Sequence, residues 1–157
     1  MAGNRLIAAL FTVCVLMSLP MAAGAEEYRS YVKAGKFDSV RDDLKDAIVN
    51  RGYVVDFVGH FSQMLDRTSD VAGKGAKSPY VDAEYIQFCP AKLAHDGVAA
   101  SPLYIFNCPM TMYLYELKAE AGKVHVGYRL PVGAVGSEAV SRGLVELLDG
   151  IAKEAVK

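Results

Sequence analysis

Cysteine is scarce in this chain of 157 residues: there are three, and Cys14 sits in an N-terminal apolar run. No CxxC or CxxCH spacing occurs, so the common dithiol motif and covalent haem attachment are both missing. An excess of charge of one sign is missing too. Seventeen Lys and Arg stand against 18 Asp and Glu, a net charge of -1. No basic stretch tracks a phosphate backbone, so no nucleic-acid partner is expected. Catalytic motifs are equally absent. There is no G-x-S-x-G elbow, no H-x-x-x-H pair and no visible constellation of paired carboxylates. The loop TSDVAGKGAKSP (68–79) contains GKGAKS but lacks the Walker spacing and a strand leading into it. An enzymatic reading therefore has little to rest on. Beyond the first residues no apolar run is long enough to span a bilayer, so no membrane association is expected after processing.

What is present begins with a targeting pattern. Arg5 supplies a positive start, Leu6 to Leu19 form an apolar run, Pro20 breaks it, and Ala23-Gly24-Ala25 precedes Glu26. This is the layout of a secretory signal peptide cleaved after Ala25. Residues 1–25 are set aside, and 26–157 is read as one domain, long enough to bury a core unaided. Export makes the expected localisation periplasmic or secreted. It also makes a disulfide between the remaining Cys89 and Cys108 chemically allowed. Such a bond would close a loop of roughly 20 residues, worth about 3 kcal/mol in the chain-entropy model.

Periodicity then orders the domain. YRSYVKA (28–34) reads as a strand. FDSVRDDLKDAIVNRG reads as a helix with Phe37, Val40, Leu44, Ala47 and Ile48 on one stripe, Asp38 or Ser39 as its cap and Gly52 at its end. YVVDFVGHF is β-branched and aromatic, hence a strand. SQMLDRT is a short helical turn. Residues 85–89 look extended, and Pro90 suits the start of a helix over AKLAHDGVAA. Leu103 to Leu117 reads as a long extended run interrupted at Pro109, which favours an edge or a bulge there. KAEAGK turns, and VHVGYRL returns as a hairpin strand. The last segment is an amphipathic helix capped by Ser137, with Val140, Leu144, Leu147, Leu148 and Ile151 buried. The order β-α-β-(α)-β-α-β-β-α predicts an α+β, two-layer fold, a mostly antiparallel sheet packed on helices.

Two neighbourhoods could carry function. Strand alternation places Cys108, Met110, Met112 and Leu114 on one face and Thr111, Tyr113 and Tyr115 on the other. On the return strand Val124, Val126, Tyr128 and Leu130 alternate with His125, Gly127 and Arg129. The second face would gather Tyr113, Tyr115, His125 and Arg129 as a ligand or subunit surface, against the alternative of an ordinary half-wet sheet face. The other neighbourhood is the repeated phrase YIQFCP (85–90) and YIFNCP (104–109), whose sulfurs are expected to lie close in space. They could form a redox pair or a structural disulfide, Cys89 standing just before a helix N-terminus. They could also join a soft copper site built from Cys108, Met110, Met112, His60, Met64 and His95, although methionine on a core face is usually filler. A cysteine nucleophile with a histidine base is the weakest reading: His95 at i+6 from Cys89 points to another face, and His60 or His125 would have to meet a cysteine through the fold.

The segments FCPAKLAHDGVAASPLYIFNCPMTMYLYEL, FDSVRDDLKDAIVNRGYVV, HFSQMLDRT and VHVGYRLP together resemble the domain of unknown function 302 family over roughly residues 30–155. That resemblance implies a small α+β fold with β-α-β order and a tendency to dimerise through the sheet. It carries over no catalytic residue. The lead expectation is an exported binding or accessory module of unknown ligand or protein partner, acting as a homodimer. The alternative is a redox or copper-handling protein using Cys89 and Cys108. The targeting pattern makes one direct prediction: N-terminal sequencing of the exported chain should begin at Glu26. Recovery of a chain that still starts at Met1 would defeat cleavage after Ala25.

Overall fold

A computed structural model describes residues 27–73, 77–133 and 137–157. The proposed signal peptide, residues 1–25, lies outside the described residues. The elements run β1 (Tyr28–Ala34), α1 (Phe37–Val49), β2 (Val55–His60), α2 (Phe61–Arg67), β3 (Tyr80–Phe88), α3 (Ala91–Ala100), β4 (Met110–Leu117), β5 (Lys123–Arg129) and α4 (Glu138–Ala155). Two short 3-10 segments, Pro102–Asn107 and Lys118–Glu120, flank β4. The strands form one antiparallel sheet in the order β1-β5-β4-β3-β2. The α+β, two-layer expectation holds: a five-stranded antiparallel sheet packs against helices.

Alternation explains which face does the packing. Along β4 every second residue from Met110 to Glu116 is buried, and its neighbours are half-buried. Register carries the same division across the sheet. Ile86 faces Met112, which faces Tyr128, and Glu84 faces Leu114, which faces Val126. These residues meet the stripes Phe37, Val40, Leu44 and Ile48 of α1 and Val140, Leu144, Leu148 and Ile151 of α4 in one core. Leu147 packs at its margin. Each fully buried aliphatic side chain here is worth about 1.5–3 kcal/mol.

Three local expectations are corrected. Helix α1 starts at Phe37 with Lys36 in the capping position and no side-chain cap, so neither Asp38 nor Ser39 caps it. Gly52, with φ +81°, does supply the left-handed turn after the helix. The run from Leu103 is not extended to Leu117: Pro102–Asn107 is a 3-10 segment, and the strand begins only at Met110. Ser101 starts that segment by accepting a hydrogen bond from Leu103 N at 3.2 Å, and Pro102 fits its first turn. Consequently Cys108 is not a strand residue. Pro109 stands just ahead of β4, the central strand, rather than at an edge or bulge.

The excursion from β3 to β4 is locked down by one ring. Tyr104 is 1% exposed and lies against Gly97 of α3. A Cβ at position 97 would fall 2.2 Å from the Tyr104 ring, so only glycine leaves room for it. At the other side of the core Asp149 of α4 holds the β1–β5 edge. It accepts hydrogen bonds from Tyr31 and, at 3.0 Å, from Tyr128, and pairs with Lys153 at 2.6 Å. Burial pushes the Asp149 carboxyl upward, but the hydrogen bonds from Lys153, Tyr31 and Tyr128 outweigh it and hold it at about 2. This value lies below the ordinary 3.8, so the latch stabilises the fold above that pH and is lost as pH falls through about 2. Asp149→Asn should cost about 1–2 kcal/mol at neutral pH in urea unfolding. The gap between variant and wild type should narrow as the solution is acidified below pH 4. An equal gap at all pH values would refute the latch.

Candidate functional site

The face of the sheet opposite α1 and α4 carries an aromatic row. Phe61, the first residue of α2, meets Tyr80 edge-on at 6.0 Å. Tyr80 meets Tyr115 edge-on at 5.9 Å, and Tyr115 stacks on His125 at 4.6 Å with the rings parallel to within 1°. Strand register causes the last contact, because Tyr115 and His125 are direct cross-strand partners. His125 Nε2 lies 3.0 Å from Glu120 Oε2, so the turn after β4 fixes the imidazole. Burial pushes the Tyr115 hydroxyl up from its ordinary value. Beside the row, Tyr113 sits opposite Gly127. Here Tyr28, Arg129, Tyr113 and Tyr115 border a shallow hollow of about 450 Å³ floored by Gly127.

All four residues assigned to this face, Tyr113, Tyr115, His125 and Arg129, are thus brought onto one surface. Tyr28, Phe61, Tyr80 and Tyr85 extend it and were missed. Tyr85 was legible: Ala83, Tyr85 and Gln87 alternate with Glu84, Ile86 and Phe88 in β3. Tyr80 and Phe61 were not, because a bulge between Tyr80 and Asp82 and a helix start place them.

The second neighbourhood lies where β3 ends and β4 begins. Phe88 faces Met110 in the ladder, so Cys89 and Cys108 stand just beyond the last paired residues of two adjacent strands. Their Sγ atoms are 2.7 Å apart, and both are free thiols. Cys89 is exposed and Cys108 half-buried. Burial, and then the hydrogen bond with Cys89, push the Cys108 thiol up to about 12. The buried Tyr104 hydroxyl has no hydrogen-bond partner. Burial first, then the charge of Cys108 and Cys89, raise it to about 12 as well.

The six residues considered for copper lie in different settings. Met112 is fully buried and Met110 nearly so, both in the core as packing. His60 Nδ1 is engaged 2.9 Å from Glu84 Oε1, with Arg41 Nη1 3.8 Å from the same oxygen. Met64 lines a surface hollow with Phe57 and Tyr85, and His95 is exposed on α3. Among the described residues no three His, Cys, Asp or Glu side chains gather as metal ligands, so Cys108, His60 and His95 share no such set. The physical reason is the sheet period: alternate residues of β4 enter the core, which turns the two methionines away from solvent.

No family model and no curated protein matches the chain. Among solved structures, one described as an uncharacterized conserved protein DUF302 from Bacillus stearothermophilus is similar, with a TM-score of 0.67 at 14% identity. The alignment covers 85% of this chain and 100% of that one. The likeness shows a domain of unknown function 302-type fold.

The orphaned phenol gives a prediction of its own. Tyr104→Phe keeps the ring against Gly97 and removes a buried hydroxyl that has no partner. It should leave stability unchanged or raise it by about 1 kcal/mol in urea unfolding. A loss of that size or more would show that the hydroxyl has a partner in solution.

Proposed function

We propose that this chain, with its domain of unknown function 302-type fold, is an exported, non-catalytic binding module that works as a homodimer paired through the bare aromatic face of its sheet. The observation that carries this reading is the one-sided packing of the sheet. Helices α1 and α4 bury one face, while the other carries the row Phe61–Tyr80–Tyr115–His125 and the hollow beside it. Tyr28 is 67%, Phe57 52% and Val32 50% exposed on the same face. Contiguous apolar surface of this kind marks interaction sites on soluble proteins. Tyrosine and arginine together are the residues that interfaces favour, through large rigid contact area and stacking of the guanidinium on rings.

A two-fold pairing suits the composition of the face. It is self-complementary: Arg129 at one side of the hollow can stack on the tyrosines of a second copy, and the reverse contact comes with it. The charged side chains of β1, Arg29 and Lys33, belong to the helix side and reach Asp149 and Asp43 there, so they do not oppose approach on the aromatic side.

Size-exclusion chromatography with light scattering tests the reading on the mature chain. A dimer is expected at micromolar concentration. Tyr28→Glu combined with Val32→Glu should shift it to a monomer with an unchanged far-ultraviolet circular dichroism spectrum, because both positions are exposed in the single chain. A wild-type chain that stays monomeric at that concentration would overturn the homodimer.

A further inference from the structure

We propose that Cys89 and Cys108 form a reversible redox couple that exchanges electrons with a small-molecule disulfide or thiol, Cys89 meeting the reagent and Cys108 closing the protein disulfide. The pair is built by the sheet. The chain leaves β3 after Phe88 and returns to β4 at Met110, and these two residues face each other in the ladder. The excursion between them, through α3 and the 3-10 segment, starts and ends at adjacent strand ends. It is held in shape by Tyr104 in the notch at Gly97. Both sulfurs are therefore positioned by elements packed on the core, 2.7 Å apart, before any bond joins them.

The surroundings assign different roles to the two sulfurs. Cys89 is exposed just ahead of Pro90 and α3, whereas Cys108 is half-buried. Burial and the neighbouring Cys89 keep the proton on Cys108. The two sulfurs share a hydrogen bond across the 2.7 Å contact, in which either can donate. The unpartnered hydroxyl of Tyr104 sits in the same buried corner, close enough that the charge on either sulfur opposes its ionisation. A polar group left without a partner beside two thiols is an independent mark of a site rather than of plain core.

The exchange balances as follows. Cys89 gives its proton to water, and the resulting thiolate attacks one sulfur of a disulfide RSSR. A Cys89–SR bond forms, the RS–SR bond breaks, and RS⁻ leaves to take a proton from water. Cys108 gives its proton to solvent and attacks Cys89 Sγ. The Cys89–Cys108 bond forms, the Cys89–SR bond breaks, and the second RS⁻ leaves and takes a proton from water. The protein dithiol loses two electrons, and RSSR becomes two RSH. Excess RSH drives the same steps in reverse. This assignment is independent of the dimer, and its test reads the sulfur state rather than the mass of the assembly.

The experiment uses the mature chain in glutathione buffers that run from fully reduced to fully oxidised. It is followed by acid quenching, maleimide alkylation and intact mass. The expected result is a two-thiol species converting to a no-thiol species in one transition that reverses when the buffer is reversed. Cys108→Ser should trap a glutathione adduct on Cys89. Cys89→Ser should leave Cys108 reacting with maleimide about tenfold or more slowly than Cys89 does in Cys108→Ser. Two free thiols at the oxidised limit would overturn the proposal, as would a disulfide that the reduced limit leaves closed. Both of these readouts come from the wild type, so a variant that fails to fold does not protect the idea.

Discussion

The register between β3 and β4 is the constraint from which the rest of the molecule follows. These strands lie next to each other near the middle of the sheet, and Phe88 opposite Met110 sets their alignment. Side chains alternate with a period of two, so a slip by one residue would turn the whole apolar set out to solvent. With the observed pairing, Ile86, Phe88, Met110, Met112 and Leu114 all enter the core. The same alignment puts Tyr85, Tyr113 and Tyr115 on the opposite face. It also ends the ladder with Cys89 and Cys108 side by side. Core, aromatic face and sulfur pair are three consequences of one hydrogen-bonded alignment.

Polar groups buried on the helix side are handled unequally. The Glu116 carboxylate accepts Gly122 N–H at 2.8 Å and so closes the turn before β5. Asp149 takes two tyrosine hydroxyls and a lysine. Glu84 has His60 and Arg41 at one oxygen and nothing at the other. The first is local to one hairpin, whereas the second joins α4 to β1 and β5 and so specifies how that helix docks on the sheet. The third leaves a buried oxygen without compensation, a cost of about 1–3 kcal/mol that the apolar core must offset.

The segment from Pro90 to Asn107 shows how local sequence and tertiary packing can diverge. LYIFN reads as a strand because β-branched and aromatic residues crowd together. It winds instead as a 3-10 turn, because Tyr104 and Asn107 then fall on one side at a spacing of three and are buried together. Leu103, Ile105 and Phe106 are left exposed. A period of two and a period of three cannot be told apart over six residues by hydrophobicity alone. The docking of Tyr104 against Gly97 selects the second.

Element order, α+β layering, the two faces of the β4–β5 hairpin, the stripes of α1 and α4 and the Ser137 cap were all legible in the chain. These are local properties, carried by periods of two and 3.6 and by single residues at element ends. Tyr113, Tyr115, His125 and Arg129 could be placed together because they belong to one hairpin, where register follows from a short turn. The rest depends on contacts between segments distant along the chain. Phe61 and Tyr80 join the row through a bulge and a helix start. Asp149 finds Tyr31 from 118 residues away. Met110 and Met112 pack into the core. The sulfurs of Cys89 and Cys108 meet because two strands pair, and pairing between distant segments is set by how the whole core closes, which no local pattern records.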